Sequence, residues 1–99
     1  MVTYNHDLQV VGTFSSANMA HGSVEITPVA NSPTSVTVTG LSLQGTGAVL
    51  VQTTPLTDAP GSEVVETSYN NPTPTGANIF IYRTNTTATF VYWFMWRIP

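Results

Sequence analysis

Between Ala77 and Pro99 the chain reads ANIFIYR, then TNTTAT, then FVYWFMWRIP. In the last run Phe90, Tyr92, Phe94, Trp96 and Ile98 share one parity, and Val91, Trp93, Met95 and Arg97 share the other. Successive side chains of a strand point to opposite faces, so this strand is bulky on both sides. An antiparallel strand with one wet face alternates apolar with polar residues. This one needs cover on two faces: a second sheet of the same chain for one, and another copy of the protein for the other.

Shorter strands are predicted upstream. Asp7–Val11 (DLQVV) reads as a first strand, closed by Gly12. The stretch TFSSANMAHG up to Gly22 has no clear periodicity, and its small polar residues predict a linker or single turn. Residues 1–22 are therefore expected to form an N-terminal arm, and residues 23–99 the folded domain. Ser23–Val29 alternates, with Val24 and Ile26 on one face, and Pro28 ends it or places it at an edge. Thr34–Leu43 alternates through Val36 and Val38, with Gly40 marking a bulge or bend. Ala48–Thr53 (AVLVQT) is apolar enough to be central, and Ser62–Tyr69 is a further strand. Turns fall at Ala30–Pro33, Gln44–Gly47, Thr54–Gly61 and Asn70–Gly76. Six to seven short strands separated by turn signals predict an all-β antiparallel sandwich in one domain.

Composition sharpens this reading. The chain has 99 residues, of which 41% are hydrophobic and 10% aromatic, and only 7% are charged. A typical soluble domain is about 25% charged, and a surface so poor in charge commits area to partner subunits. Net charge is −3, and Arg83 and Arg97 are the two basic residues. Phosphate backbones are gripped by clustered Lys and Arg, so nucleic acid is not an expected partner. The longest apolar run is far shorter than the ~20 residues of a membrane helix, and no membrane insertion is expected. With no Cys, disulfides and thiolate metal sites are ruled out. No signal peptide opens the chain, so an extracellular location would be reached within a particle or by lysis.

The stretches GSVEITPVANSPTSVTVT, TTPLTDAPGSEVVETSYNN and TGANIFIYRTNTTATFVYW span Gly22 to Trp93. They resemble a module common at the C-terminal end of minor tail and fibre proteins of tailed bacteriophages, and the same pattern is similar to the H-type lectin β-sandwich. The resemblance implies a homotrimer packed around a threefold axis. It also implies a place at the surface of a virion, and for some relatives a bound sugar. DLQVVGTFSSANMAHG resembles the linker that precedes this module in long fibres. Two departures stand out. No long shaft precedes the module, and the small aliphatic ending of related phage chains is replaced here by Phe94, Met95 and Trp96.

No constellation for catalysis stands out. His6, Asp7, His21, Glu25, Asp58, Glu63 and Glu66 are scattered, and Glu63 and Glu66 differ in parity. There is no Gly-x-Ser-x-Gly turn, and Gly45-Thr46-Gly47 lacks the third glycine of a dinucleotide loop. No cofactor or metal is expected, although three copies of His21 on a threefold axis would offer three imidazoles. Asn85-Thr86-Thr87 fits the N-glycosylation pattern but reads more simply as a hairpin tip.

Arg83 follows an apolar run and needs a partner, with Glu63, Glu66 or a neighbouring subunit as candidates. Tyr69, Tyr82, Arg83 and Arg97 are candidate ligand or inter-subunit contacts. Phe90, Tyr92, Trp93, Phe94, Met95 and Trp96 are the candidate trimer interface, with Trp93, Phe94 and Trp96 as its anchors. The expected function is that of a non-enzymatic virion structural protein, a homotrimer decorating and stabilising a capsid. The alternatives are a receptor-binding tail or fibre tip and a carbohydrate-binding lectin. Expected partners are further copies of the chain, major capsid or tail proteins, and a host-surface glycan.

Overall fold

A computed structural model describes residues 14–16, 18–57 and 63–99. Seven strands run in chain order: β1 (Phe14–Ser16), β2 (Met19–Ile26), β3 (Thr34–Val38), β4 (Val49–Pro55), β5 (Val64–Thr73), β6 (Gly76–Arg83) and β7 (Thr89–Arg97). There is no helix among the described residues. All pairings are antiparallel, in two sheets of order β1-β2-β7-β4 and β3-β6-β5. The three-residue β1 only extends the edge of the first sheet. The expected strand at residues 7–11, the His6-Asp7 pair and Asp58 lie outside the described residues.

The core lies between the sheets and follows from strict alternation. In β7, Val91, Trp93 and Met95 turn inward; in β6, Ala77, Ile79 and Ile81 do so. From β2 and β4 come Ala20, Ile26 and Val51. The buried Val, Ile and Met side chains among these each contribute about 1.5–3 kcal/mol relative to exposure. Thr53 and Thr67 hydroxyls meet at 2.9 Å, a hydrogen bond joining β4 of one sheet to β5 of the other.

The strand after Thr34 is shorter than expected. Gly40 has φ +82°, and β3 stops at Val38. Beyond Gly40 the alternation resumes one residue out of phase: Thr39 and Gly40 are both exposed, and Leu41 and Leu43 are buried, their amides donating to the Thr75 and Pro74 carbonyls at 3.0 and 2.9 Å. This extended segment closes the end of the sandwich against the β5–β6 turn.

Two further expectations are corrected. Met19–Gly22 is not linker: it is the first half of β2, in register with Trp96, Met95, Phe94 and Trp93. A domain boundary between residues 22 and 23 would therefore fall inside a paired strand. Ala20 and Gly22 look like loop residues in sequence, but they are the small inward positions opposite Met95 and Trp93, where bulk is already supplied. And β4 is an edge strand, not a central one: it pairs with β7 alone. Its apolar character comes from its inward residues together with Leu50 on the outer face.

The expected hairpin between β6 and β7 does not form: β6 belongs to one sheet and β7 to the other, so residues 84–88 arch across the sandwich. Arg83, 5% exposed, is a cation buried at the start of this arch. Its guanidinium donates from Nη2 to Glu63 Oε2 at 3.1 Å, from Nη1 to Thr89 Oγ1 at 2.7 Å, and from Nε to Asn85 Oδ1 at 2.7 Å. Asn85 Nδ2 in turn donates to Glu63 Oε2 at 2.6 Å. The side chain is thus spent on internal bonds and is not a surface ligand contact. The same bonds engage the Asn85 amide that glycosylation would need. Glu63 is half exposed, so the pair is weaker than a fully buried one. Replacing Glu63 with Ala leaves a buried guanidinium without its carboxylate. The expected loss is about 2 kcal/mol, the scale of a hydrogen bond to a charged group, measured by urea unfolding.

Candidate interaction face

The outer face of the β1-β2-β7-β4 sheet is the chemically distinctive surface of this domain. Its axis is the even parity of β7: Phe90, Tyr92, Phe94 and Trp96. Phe90 and Tyr92 are 45% and 48% exposed. Phe94 and Trp96 are half-buried against each other, with ring centroids 5.5 Å apart and planes tilted by 51°. Such tilted pairs contribute about 0.5–1.5 kcal/mol beyond their buried area.

Register places the neighbours. Trp96 lies between Met19 of β2 and Leu50 of β4, Phe94 between His21 and Gln52, and Tyr92 between Ser23 and Thr54. Phe90 faces Glu25. The face is therefore graded, apolar across three strands at the Trp96 end and polar-flanked towards Phe90. Because β7 is interior to its sheet, this row runs down the middle of the face and not along a rim.

The candidate interface residues thus divide by parity. Phe90, Tyr92, Phe94 and Trp96 share the outer face. Trp93 and Met95 do not: they are 3% and 0% exposed and belong to the core between the sheets. They are removed from the candidate interface because strand alternation turns them to the opposite side. Trp93 carries an unusual feature, since its Nε1–H is buried and makes no hydrogen bond among the described residues.

The other candidates are dispersed. Tyr69, on edge strand β5, is 38% exposed and in register with Ile79. Tyr82 is half-buried on the outer face of the second sheet, opposite Glu66. Arg97 is half-buried at the far end of β7, where Nε and Nη1 donate to the Gly47 and Leu43 carbonyls at 3.2 and 3.4 Å. That arrangement ties down the loop before β4. His21 is exposed on the aromatic face.

Among the described residues no three His, Asp or Glu side chains come close enough to share a metal. Glu25 lies on the first sheet, while Glu66 lies on the second and Glu63 just ahead of its edge strand. The sequence predicted the aromatic row. It did not predict Met19 and Leu50 as flanks, because only the register of β2 and β4 on β7 brings them there. Comparison with protein-family models, with curated proteins and with solved structures returned no match for this chain.

Proposed function

We propose that this domain is a non-enzymatic structural module of a bacteriophage particle, acting as a homotrimer at the virion surface. The observation that carries the reading is the central aromatic row of Phe90, Tyr92, Phe94 and Trp96, flanked by Met19 and Leu50, in which Phe90, Tyr92 and Met19 are exposed and Phe94, Trp96 and Leu50 are only partly covered. Contiguous apolar surface of this kind marks a contact with another macromolecule, and aromatic residues are enriched at the centres of such contacts. The low charge content supports the same reading. The phage assignment and the threefold symmetry rest on the sequence resemblance.

In this reading three copies turn the β1-β2-β7-β4 faces towards a common axis, and the second sheet faces outward. The proposed placement is decoration of the capsid, where a domain with so few charges packs among many neighbours. Counting copies per particle by quantitative mass spectrometry tests the placement: hundreds support decoration, and a few trimers place the domain in the tail.

Oligomer formation is tested directly. Trp96→Ala is expected to weaken assembly by about 2 kcal/mol or more per subunit contact, the scale of an interface anchor, and so by roughly 30-fold in the dissociation constant. Sedimentation velocity over a concentration series reads this out. A wild-type chain that stays monomeric, or a Trp96→Ala chain that assembles as well as wild type, sinks the proposal.

A further inference from the structure

The edge of the second sheet at β3 carries none of the usual guards against a further strand. β3 pairs with β6 on one side and with no strand on the other among the described residues. Alternate amides and carbonyls of an edge strand point outward unpaired, and charge or proline commonly blocks their further pairing. β5 carries Glu66 and Pro72, and β4 ends at Pro55. β3 reads TSVTV, with neither charge nor proline. We infer that this edge receives Asp7–Val11 of a second copy of the chain, so that neighbouring subunits exchange N-terminal strands.

The first argument is the shape of the sandwich. The first sheet has four strands and the second three. β4 and β5 are joined across the sandwich by the Thr53–Thr67 bond, and β2 packs over β3 at the other side. The place beside β3, facing β1, is filled by no strand among the described residues. Side chains on this side are partly open. Val24 and Val36 have the inward parity, in register with the fully buried Val91 and Ile79, yet both are only half-buried.

The second argument is the match of the segment. Asp7–Val11 (DLQVV) has five residues, as β3 has. Leu8 and Val10 share one parity and supply the apolar cover for Val24 and Val36. Asp7, Gln9 and Val11 share the other and join the exposed Ser35 and Thr37 on the outer face. Strand addition of this kind draws affinity from main-chain hydrogen bonds and specificity from alternate side chains.

The third argument is tether length, and it selects a second copy. The described chain enters β1 at Phe14, in the opposite sheet. Facing sheets lie about 10 Å apart. Gly12 and Thr13 give three Cα steps from Val11 to Phe14, roughly 10 Å when fully extended. No length is left for the bends at either end. The shortest crossing between described strands of the two sheets, from β6 to β7, takes five residues. A hairpin back onto β1 fits less well. β1 offers three positions, and a strand outside it lies beyond the second sheet, where no described residue covers Leu8 and Val10. Exchange of an element between identical subunits is a low-cost route to an oligomer. It needs a second copy but neither the aromatic face nor threefold symmetry.

The chain has no cysteine, so introduced cysteines report the pairing. Asp7→Cys, Gln9→Cys and Val11→Cys chains are each mixed with Ser35→Cys and with Thr37→Cys chains, refolded together and oxidised. At least one mixture should give a disulfide-linked pair of one arm variant and one β3 variant on a non-reducing gel. No mixed pair in any combination overturns the inference. So does a disulfide confined within single chains when both cysteines are placed in one chain, which would assign the edge to the chain's own arm. Val10→Asp provides a second readout. It should weaken assembly at least tenfold in sedimentation while leaving the melting temperature of dilute protein unchanged. Assembly equal to wild type overturns exchange. Cross-linking reads the β3 edge and Trp96→Ala reads the aromatic face, so failure of one leaves the other standing.

Discussion

Trp93→Ala should destabilise the domain by about 3–5 kcal/mol, the usual range for removing a buried large aromatic. In a domain of this size that lowers the melting temperature by on the order of 20 °C. The indole is 3% exposed and in register with Gly22 on one side and Thr53 on the other, so no neighbouring side chain of comparable bulk fills the space. Trp93→Phe should cost less, because it retains a ring and removes the one buried indole N–H that lacks an acceptor among the described residues. Trp96→Ala makes the contrast. It lies one face away, is only half-buried, and should change assembly while leaving the monomer's unfolding nearly intact. Thermal denaturation by circular dichroism at low protein concentration separates the two effects. Equal melting temperatures for Trp93→Ala and Trp96→Ala would contradict the assignment of parity.

Gly76→Ala is expected to be at least as damaging, by about 4 kcal/mol or more. A Cβ at this position would lie 1.8 Å from the Val38 carbonyl oxygen and 2.7 Å from its carbon. Those are backbone atoms, and no rotamer change relieves the overlap. Either β3 moves away from β6 or the hairpin turn opens. In both cases the hydrogen bonds that Leu41 and Leu43 make to the turn carbonyls are lost. Losses above about 4 kcal/mol are confined to a short list of mechanisms, and backbone collision is among them. Little soluble protein, or a loss of amide-exchange protection spreading from β3 through β6, is the expected result. A wild-type melting curve for Gly76→Ala would show that the hairpin accommodates a methyl group and that β3 is not held by this contact.

Much of the architecture was legible because alternation is a strong signal where side chains are large. Ile79, Ile81, Val91, Trp93 and Met95 announce their strands. The misreadings occur where the physics depends on the partner strand. Ala20 and Gly22 resemble linker residues until Trp93 and Met95 are placed opposite them. Val49, Leu50 and Val51 look central, yet strand order is set by register across the whole sheet and not by local hydropathy. Which parity of β7 faces outward was likewise open, since both are apolar. The choice follows from the neighbours. Ala20 and Gly22 make room on the inner side, while Ser23, Glu25, Gln52 and Thr54 on the outer side belong in water or at an interface. The contact between Thr37 and Asn78 was invisible in the sequence, because only the register of β3 on β6 brings the Thr37 hydroxyl within 2.8 Å of Asn78 Oδ1, 41 positions further along the chain.

The strand order of the first sheet has a kinetic consequence. β2 and β4 are each paired to β7 and not to each other, so neither finds its main partner until the latest of the seven strands arrives. Such pairings close large loops before any hydrogen bond repays them, which places this domain among slow, high-contact-order folders. The β5–β6 hairpin, whose contacts are local, is the natural nucleus. Until β7 docks, its aromatic residues on both parities are uncovered, and the unfinished chain is at its most prone to aggregate.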